Sequence, residues 1–427
     1  MGSRKRHRDD IVNDYAGYRL TKNSNPRDFI VSNTPNSKEF YEKFVSQRKP
    51  CVIQGHFGPE TDSVGPPWTL TKNMLLEAAE NELVQVERRL SADESFGQAR
   101  TQERQEVMTL GGFLNLSKEV ASMYYLSTQT DNSSDDVLTH ISTPCKQLMQ
   151  QGRIPSRLLV AGNLVLHSCH LWMGVAAASS GLHHDFHDNI YVLLKGAKKF
   201  RLYSPDSAQH MYVHGKIDFI HANGLLSYQG RETRQDGVPW SLIHQDKDNQ
   251  KDQSSNDDDD KEEDEEEDEE EEIVFGKGAD YASTDDEVDW DEMGTDDFDK
   301  LVESESATKD SDSDSENEND NPPPSFSRIT PQQLYGDPKQ LTKMYPDFAT
   351  CPSVTIELKA GQTLFLPAGW FHEVSSSANS SDLCHMAINY WYYPPDNLSS
   401  FEKPYQDDYL ISHNLRIPEK IESVKNK

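Results

Sequence analysis

No run in this 427-residue chain approaches the roughly 18 consecutive apolar residues that a membrane-crossing helix needs. A membrane protein is therefore not expected. The five cysteines, Cys51, Cys145, Cys169, Cys351 and Cys384, are odd in number and include no CxxC pair. That argues against a disulfide framework or a zinc ribbon and favours a reducing compartment. The first residues lack the apolar stretch of a secretory leader. The expectation is a nuclear or cytoplasmic protein, not a secreted one. The start carries Arg4-Lys5-Arg6-His7-Arg8 instead, which suits a nuclear address and equally a solvated, disordered tail over 1–30.

Basic charge is also scarce, but only locally. The chain has 73 acidic and 42 basic residues, a net of −31, and 36 of the acidic against six of the basic lie between Asp246 and Asp320. The remainder is close to neutral and, at roughly 350 residues, can bury a large core. It shows no basic footprint of the kind nucleic acid requires, so nucleic acid is not an expected partner. The acidic stretch holds Asp257–Asp260, Glu262–Glu272, the alternating run Ser311–Glu316 and then Pro322–Pro324. So few apolar residues under so much like-charge repulsion cannot offset the entropy of ordering. The segment at about 245–325 reads as a disordered insertion inside one domain.

The rest shows short alternating runs. Residues 37–48 read as a helix, 49–55 as a buried strand closed by Gly55, and 70–80 as a helix capped near Thr69 or Thr71. Strands are expected at 83–87 and 123–127, with a helix after Thr109 between them. From about Val165 the chain turns to β runs at 170–175, 189–194, 198–203, 353–358, 363–366 and 384–392, separated by turns such as Lys195-Gly196 and Pro367-Ala368-Gly369. The expected architecture is mainly β with flanking helices: an α/β lead-in over 31–150, a β sandwich or barrel over 151–395 interrupted by the insertion, and a tail over 396–427.

One constellation carries chemistry. In Leu182-His183-His184-Asp185 the first histidine and the aspartate stand two apart, a spacing that aims both at one side of a strand. A third donor, His372, follows the turn in the run Gly361–His372. Two histidines and a carboxylate on one face form the facial triad of non-haem Fe(II) oxygenases, with positions left open for cosubstrate and O2. His184, His187 and His385 are rivals for the histidine positions.

The stretches Ser180–Asp185 through Asn189, Lys195–Pro205, Gly361–Val374 and Ala387–Trp391, with the lead-in Arg48-Lys49-Pro50, resemble the JmjC family, above all its small JmjC-only protein hydroxylases. The resemblance covers roughly residues 35–245 and 325–395. It implies a double-stranded β-helix of jelly-roll or cupin type, with Fe(II) held by His183, Asp185 and His372 and 2-oxoglutarate as cosubstrate. Lys198, thirteen residues after Asp185, matches the lysine that pairs with the distal carboxylate of 2-oxoglutarate. Ser180 and Asn189 match positions that hydrogen-bond the cosubstrate. Asn389 and Trp391 match pocket residues on a late strand, and Tyr125, with Tyr124 as its rival, matches a tyrosine on an early one.

The implied activity is hydroxylation of a protein side chain, with succinate and CO2 as co-products. N-methyl-lysine demethylation is the alternative. The sequence has no clustered Cys/His modules of the kind larger demethylases append, which favours hydroxylation. A catalytically inactive binding scaffold is the reading of another class, and a retired site has no chemical reason to keep His183, Asp185, His372 and Lys198 together. The acidic segment suits steering of a basic protein substrate such as a histone or ribosomal protein, or else a solubilising spacer.

Overall fold

Burial along each strand shows which face it packs. Val354–Lys359 alternates buried and exposed residues along its whole length, whereas Asp188–Lys195 is buried almost throughout. The first pattern belongs to a sheet with one wet face; the second belongs to a central strand covered on both sides. The computed structural model describes residues 11–32, 35–57, 64–65, 68–91, 94, 96, 104–127, 139–174, 178–240, 242–243, 322–377 and 385–412. The acidic run 246–320 lies outside them.

Eight strands form the centre: β1 (Leu166–Gly174), β2 (Ser179–His184), β3 (Asp188–Lys195), β4 (Ala197–Tyr203), β5 (Val354–Lys359), β6 (Gln362–Leu366), β7 (Phe371–Ser377) and β8 (His385–Tyr392). One sheet runs β6-β3-β8-β1 and the other β2-β7-β4-β5, with antiparallel pairing throughout. This is the jelly-roll core of a cupin-type protein. Side chains alternate accordingly. Tyr191, Leu193, Phe200, Leu202, Ile356 and Leu364 fill the space between the sheets. Ile190 and Val192, one position out of phase, face the helices on the outer side of the first sheet.

The lead-in extends that first sheet at both ends. Cys51–Gln54 pairs with β6, and Ile30–Val31 pairs with Cys51–Gln54. At the far end Tyr124–Leu126, Leu83–Arg88 and Gln105–Thr109 continue the sheet beyond β1. Its helices begin at polar caps: Thr71 accepts from Met74 N before Lys72–Ala79, and Thr109 accepts from Gly112 N before Leu110–Leu114. The helix beginning at Ser37 is α-helical to Phe40 and passes into one π turn at Tyr41–Val45.

Three boundaries differ from the sequence reading. The expected tail over 1–30 is ordered from Ile11: Val12–Asn13 pairs with Ile217–Ile220, and Tyr15, Leu20 and Phe29 are buried. Single anchors so widely spaced leave no periodicity to read. The expected tail over 396–427 seats Tyr405 and Leu410 in the core. The insertion, expected to extend to 325, ends earlier, because Ser325, Phe326 and Ser327 are buried against β2.

Candidate metal centre and its cavity

Strand register brings the histidines together. β2 and β7 pair antiparallel, and His183 stands directly opposite His372, with a register shift between Ser180 and His183. β2 ends at His184, so Asp185 lies one residue beyond the strand rather than on it. His372 falls on β7 itself, not only after the preceding turn. The Asp185 carboxylate approaches His183 Nε2 at 3.9 Å and His372 Nε2 at 3.7 Å, each with a different oxygen. One donor atom from each of the three lies within 4.8 Å of the others, the sole such cluster of histidine, cysteine or acidic donors among the described residues.

The imidazoles are oriented for ligation. His183 Nδ1 is 2.7 Å from Gly181 O, and His372 Nδ1 is 3.0 Å from Trp370 O. A carbonyl only accepts, so each Nδ1 carries the proton and each Nε2 presents its lone pair to the centre. Burial, then neighbouring His372, pushes the His183 pKa down to about 4, which keeps the ring neutral. The rivals point elsewhere. His184 faces the opposite side of β2 and meets Tyr228 Oη at 2.7 Å. His187 stacks on His167 with centroids 3.6 Å apart, and His385 packs beside Tyr125.

The turn before His372 is held from below. Asp188 Oδ1 accepts from Ala368 N at 2.8 Å, Arg48 O accepts from Trp370 Nε1 at 3.0 Å, and Gly369 N donates to Asp185 O at 2.9 Å. Gly369 has φ +78°, and a Cβ there would lie 1.8 Å from Gly224 O, so only glycine fits. Arg48 and Asp188 form a fully buried ion pair bonded through both guanidinium amines, with Arg48 Nε donating to Asn223 O at 2.8 Å. Removing one partner strands the other charge. Arg48→Ala is expected to cost about 3–5 kcal/mol, read as a lower urea midpoint. Arg48→Lys should recover little of it, since one ammonium cannot replace the guanidinium fork. Native stability in Arg48→Ala would show that the pair does not clamp the turn.

A cavity of about 330 Å³ opens on the three donors. Its walls include all the other residues singled out in the sequence: Tyr125, Ser180, Asn189, Lys198, Asn389 and Trp391. Lys198 is buried at its inner end and donates to Ser376 Oγ at 2.5 Å and Tyr125 Oη at 3.4 Å. Burial alone pushes its pKa down to about 7. Tyr125 is thus the tyrosine that reaches the cavity; its rival Tyr124 donates to Glu106 at 2.9 Å. Asn389 Oδ1 accepts from Trp172 Nε1 at 2.9 Å. Asn189 Oδ1 and Trp391 Nε1 are buried on the wall without a hydrogen-bond partner among the described residues. Two imidazoles with a carboxylate fit a divalent transition metal. A buried ammonium beside unpartnered polar atoms fits a small anionic molecule.

Sequence reasoning missed two residues here. Ser376 was findable, because it stands four after His372 on the same face of one strand. Phe326, which stacks on His183, gives no signal at the edge of a low-complexity run.

Comparison with known proteins agrees with this fold. Residues 37–398 match the family model of the cupin-like domain. The chain is 31% identical over 417 residues to "JmjC domain-containing protein 4" of Schizosaccharomyces pombe, covering 87% of this chain and 85% of that protein. It is 33% identical over 86 residues to "JmjC domain-containing protein E" of Dictyostelium discoideum, covering 19% of this chain and 22% of that protein.

Proposed function

Since the chain belongs to the cupin-like JmjC-domain family, we propose that it is an Fe(II)- and 2-oxoglutarate-dependent dioxygenase that hydroxylates a protein side chain. The observation that carries this reading is the single cavity shared by the His183–Asp185–His372 cluster and buried Lys198. When bound, iron and 2-oxoglutarate supply oxidative decarboxylation to succinate and CO2, with the second oxygen of O2 inserted into a substrate C–H bond.

The chain's own residues do the rest. His183, Asp185 and His372 would hold the metal. Lys198, with Ser376 and Tyr125 beside it, receives the distal carboxylate through a charge-assisted bond. Ser180, Asn189, Asn389 and Trp391 wall and orient the cosubstrate. Phe96, Trp172 and Phe200 keep that end of the cavity apolar and exclude water. Hydroxylation is preferred to demethylation because the motifs resemble above all those of the small JmjC-only protein hydroxylases. The acidic segment supports a basic protein as the substrate.

The test is Fe(II)-dependent succinate formation, followed by mass spectrometry of proteins captured by an inactive variant. Gain of one oxygen on a captured protein supports hydroxylation, and release of formaldehyde with loss of a methyl group would replace it with demethylation. No 2-oxoglutarate turnover with any captured protein would leave a binding scaffold. Capture should weaken steeply with salt, and should lose that salt dependence when residues 246–320 are deleted. Salt-independent capture by the full chain would remove the basic-substrate assignment.

A further inference from the structure

The strand that carries His183 has a neighbour on each side. One is β7. The other is the short stretch Pro324–Arg328, which follows the acidic run. Its hydrogen bonds alternate as a strand's do. Toward β2, Ser325 O accepts from His184 N at 3.3 Å and Ser327 N donates to Leu182 O at 2.7 Å. Away from β2, Pro324 O and Phe326 O accept from Gly215 N and His214 N at 3.0 and 2.8 Å, and Arg328 N donates to Tyr212 O at 2.9 Å. Ser327 Oγ adds a bond to Met211 O at 2.6 Å. The stretch is clamped along both edges, and Phe326 pairs across from His183.

The Phe326 ring is buried and lies flat against the His183 imidazole, with centroids 4.6 Å apart and planes within 6°. The His372 ring lies 4.3 Å from the same imidazole at 53°. A single Nδ1–H···O=C bond to Gly181 leaves an imidazole free to rock about that bond. A flat neighbour held by backbone bonds on both edges removes that freedom.

Resting on the metal reading above, we infer that Phe326 is a positioning residue that fixes the plane of the His183 ligand. It gives the metal no bond. It restricts the ring before the ion arrives, so less freedom is lost on binding and Nε2 stays aimed at the centre. The limb that returns from the acidic segment is therefore part of the metal site, and an excision that runs past Pro323 would remove a wall of it.

The experiment is titration of purified full-length protein, stripped of metal, with Mn(II) and Co(II). Phe326→Leu keeps apolar bulk without a flat face, and Phe326→Tyr keeps the face. The leucine variant should bind about three- to tenfold more weakly, as expected for one lost ring pair, and should shift the visible absorption of the Co(II) form. The tyrosine variant should stay within about twofold of native. Ile329, fully buried in the same limb, controls for general loosening. Ile329→Ala should lower thermal stability and leave the Co(II) affinity and spectrum native.

Native affinity and spectrum in Phe326→Leu would overturn the inference. So would equal weakening in the tyrosine variant, or in Ile329→Ala. If the unsubstituted protein bound neither ion, the metal reading itself would fall, an outcome distinct from any difference among variants.

Discussion

Asp185→Ala should yield a folded protein that holds no stoichiometric iron and turns over no 2-oxoglutarate. The carboxylate is the sole anionic donor of the cluster and faces both histidine nitrogens, at 3.9 and 3.7 Å. Without it a divalent ion meets two imidazoles and no anionic donor. Loss of an outer partner of a ligand already weakens metal binding about 10–100-fold, and loss of the ligand itself should exceed that. The fold should survive, because the Asp185 contact to the turn runs through its backbone oxygen to Gly369 N. Metal content by mass spectrometry, circular dichroism and succinate release separate these outcomes. His385→Ala, which lies outside the cluster, should keep its iron. Full metal loading in Asp185→Ala would end the assignment, and loss in His385→Ala with retention in His372→Ala would name a different third ligand.

Lys198→Met should leave iron in place and weaken 2-oxoglutarate binding about 10–100-fold, the worth of a hydrogen bond to a charged group. Burial sets the Lys198 pKa at about 7, so above that pH the empty site loses its positive charge. A dicarboxylate must then draw a proton in as it binds. Affinity should be highest below about pH 7 and fall as pH rises, with proton uptake seen as buffer-dependent binding enthalpy near pH 8. The methionine variant should lose this pH dependence along with the affinity. Stability moves the other way. The folded pKa lies below a lysine's ordinary value of 10.5, so between the two the unfolded chain holds more protons and Lys198 makes stability rise with pH. Calorimetry showing unchanged affinity in Lys198→Met would move the carboxylate partner to Lys195 or Lys199.

How much of this was legible depended on how local each signal is. β3 and β5 are visible as runs of apolar or alternating residues because a strand's period is two. His183 and Asp185 are visible because they are two apart. The pairing of β2 with β7 that sets His183 against His372 is a long-range register, and no local pattern encodes it. The motif resemblance suggested that pairing where periodicity could not. The anchors Tyr15 and Leu410 and the Phe326 stack stayed hidden for a related reason. Each is one apolar residue in a polar stretch, and only its tertiary partner shows what it does. The Arg48–Asp188 pair lay half in view: Arg48 sits in a recognisable lead-in, while Asp188 reads as one more polar residue at a strand start.

The facing positions of His183 and His372 also bear on how the molecule assembles. They stand 189 residues apart, and the 75 residues from Asp246 to Asp320 lie between them. Closing a loop costs free energy only as the logarithm of its length, so those extra residues add roughly 0.5 kcal/mol. Equilibrium is nearly indifferent to the length of the run 246–320. Speed is not, because contacts of high sequence separation make folding slow. Until β7 finds β2, the chain has a half-site of His183 and Asp185 with no third donor. Uptake of a divalent ion during refolding should therefore lag behind formation of local pairings such as that of Ile217–Ile220 with Leu226–Tyr228. The ion becomes a clock for the moment at which the two halves of the chain meet.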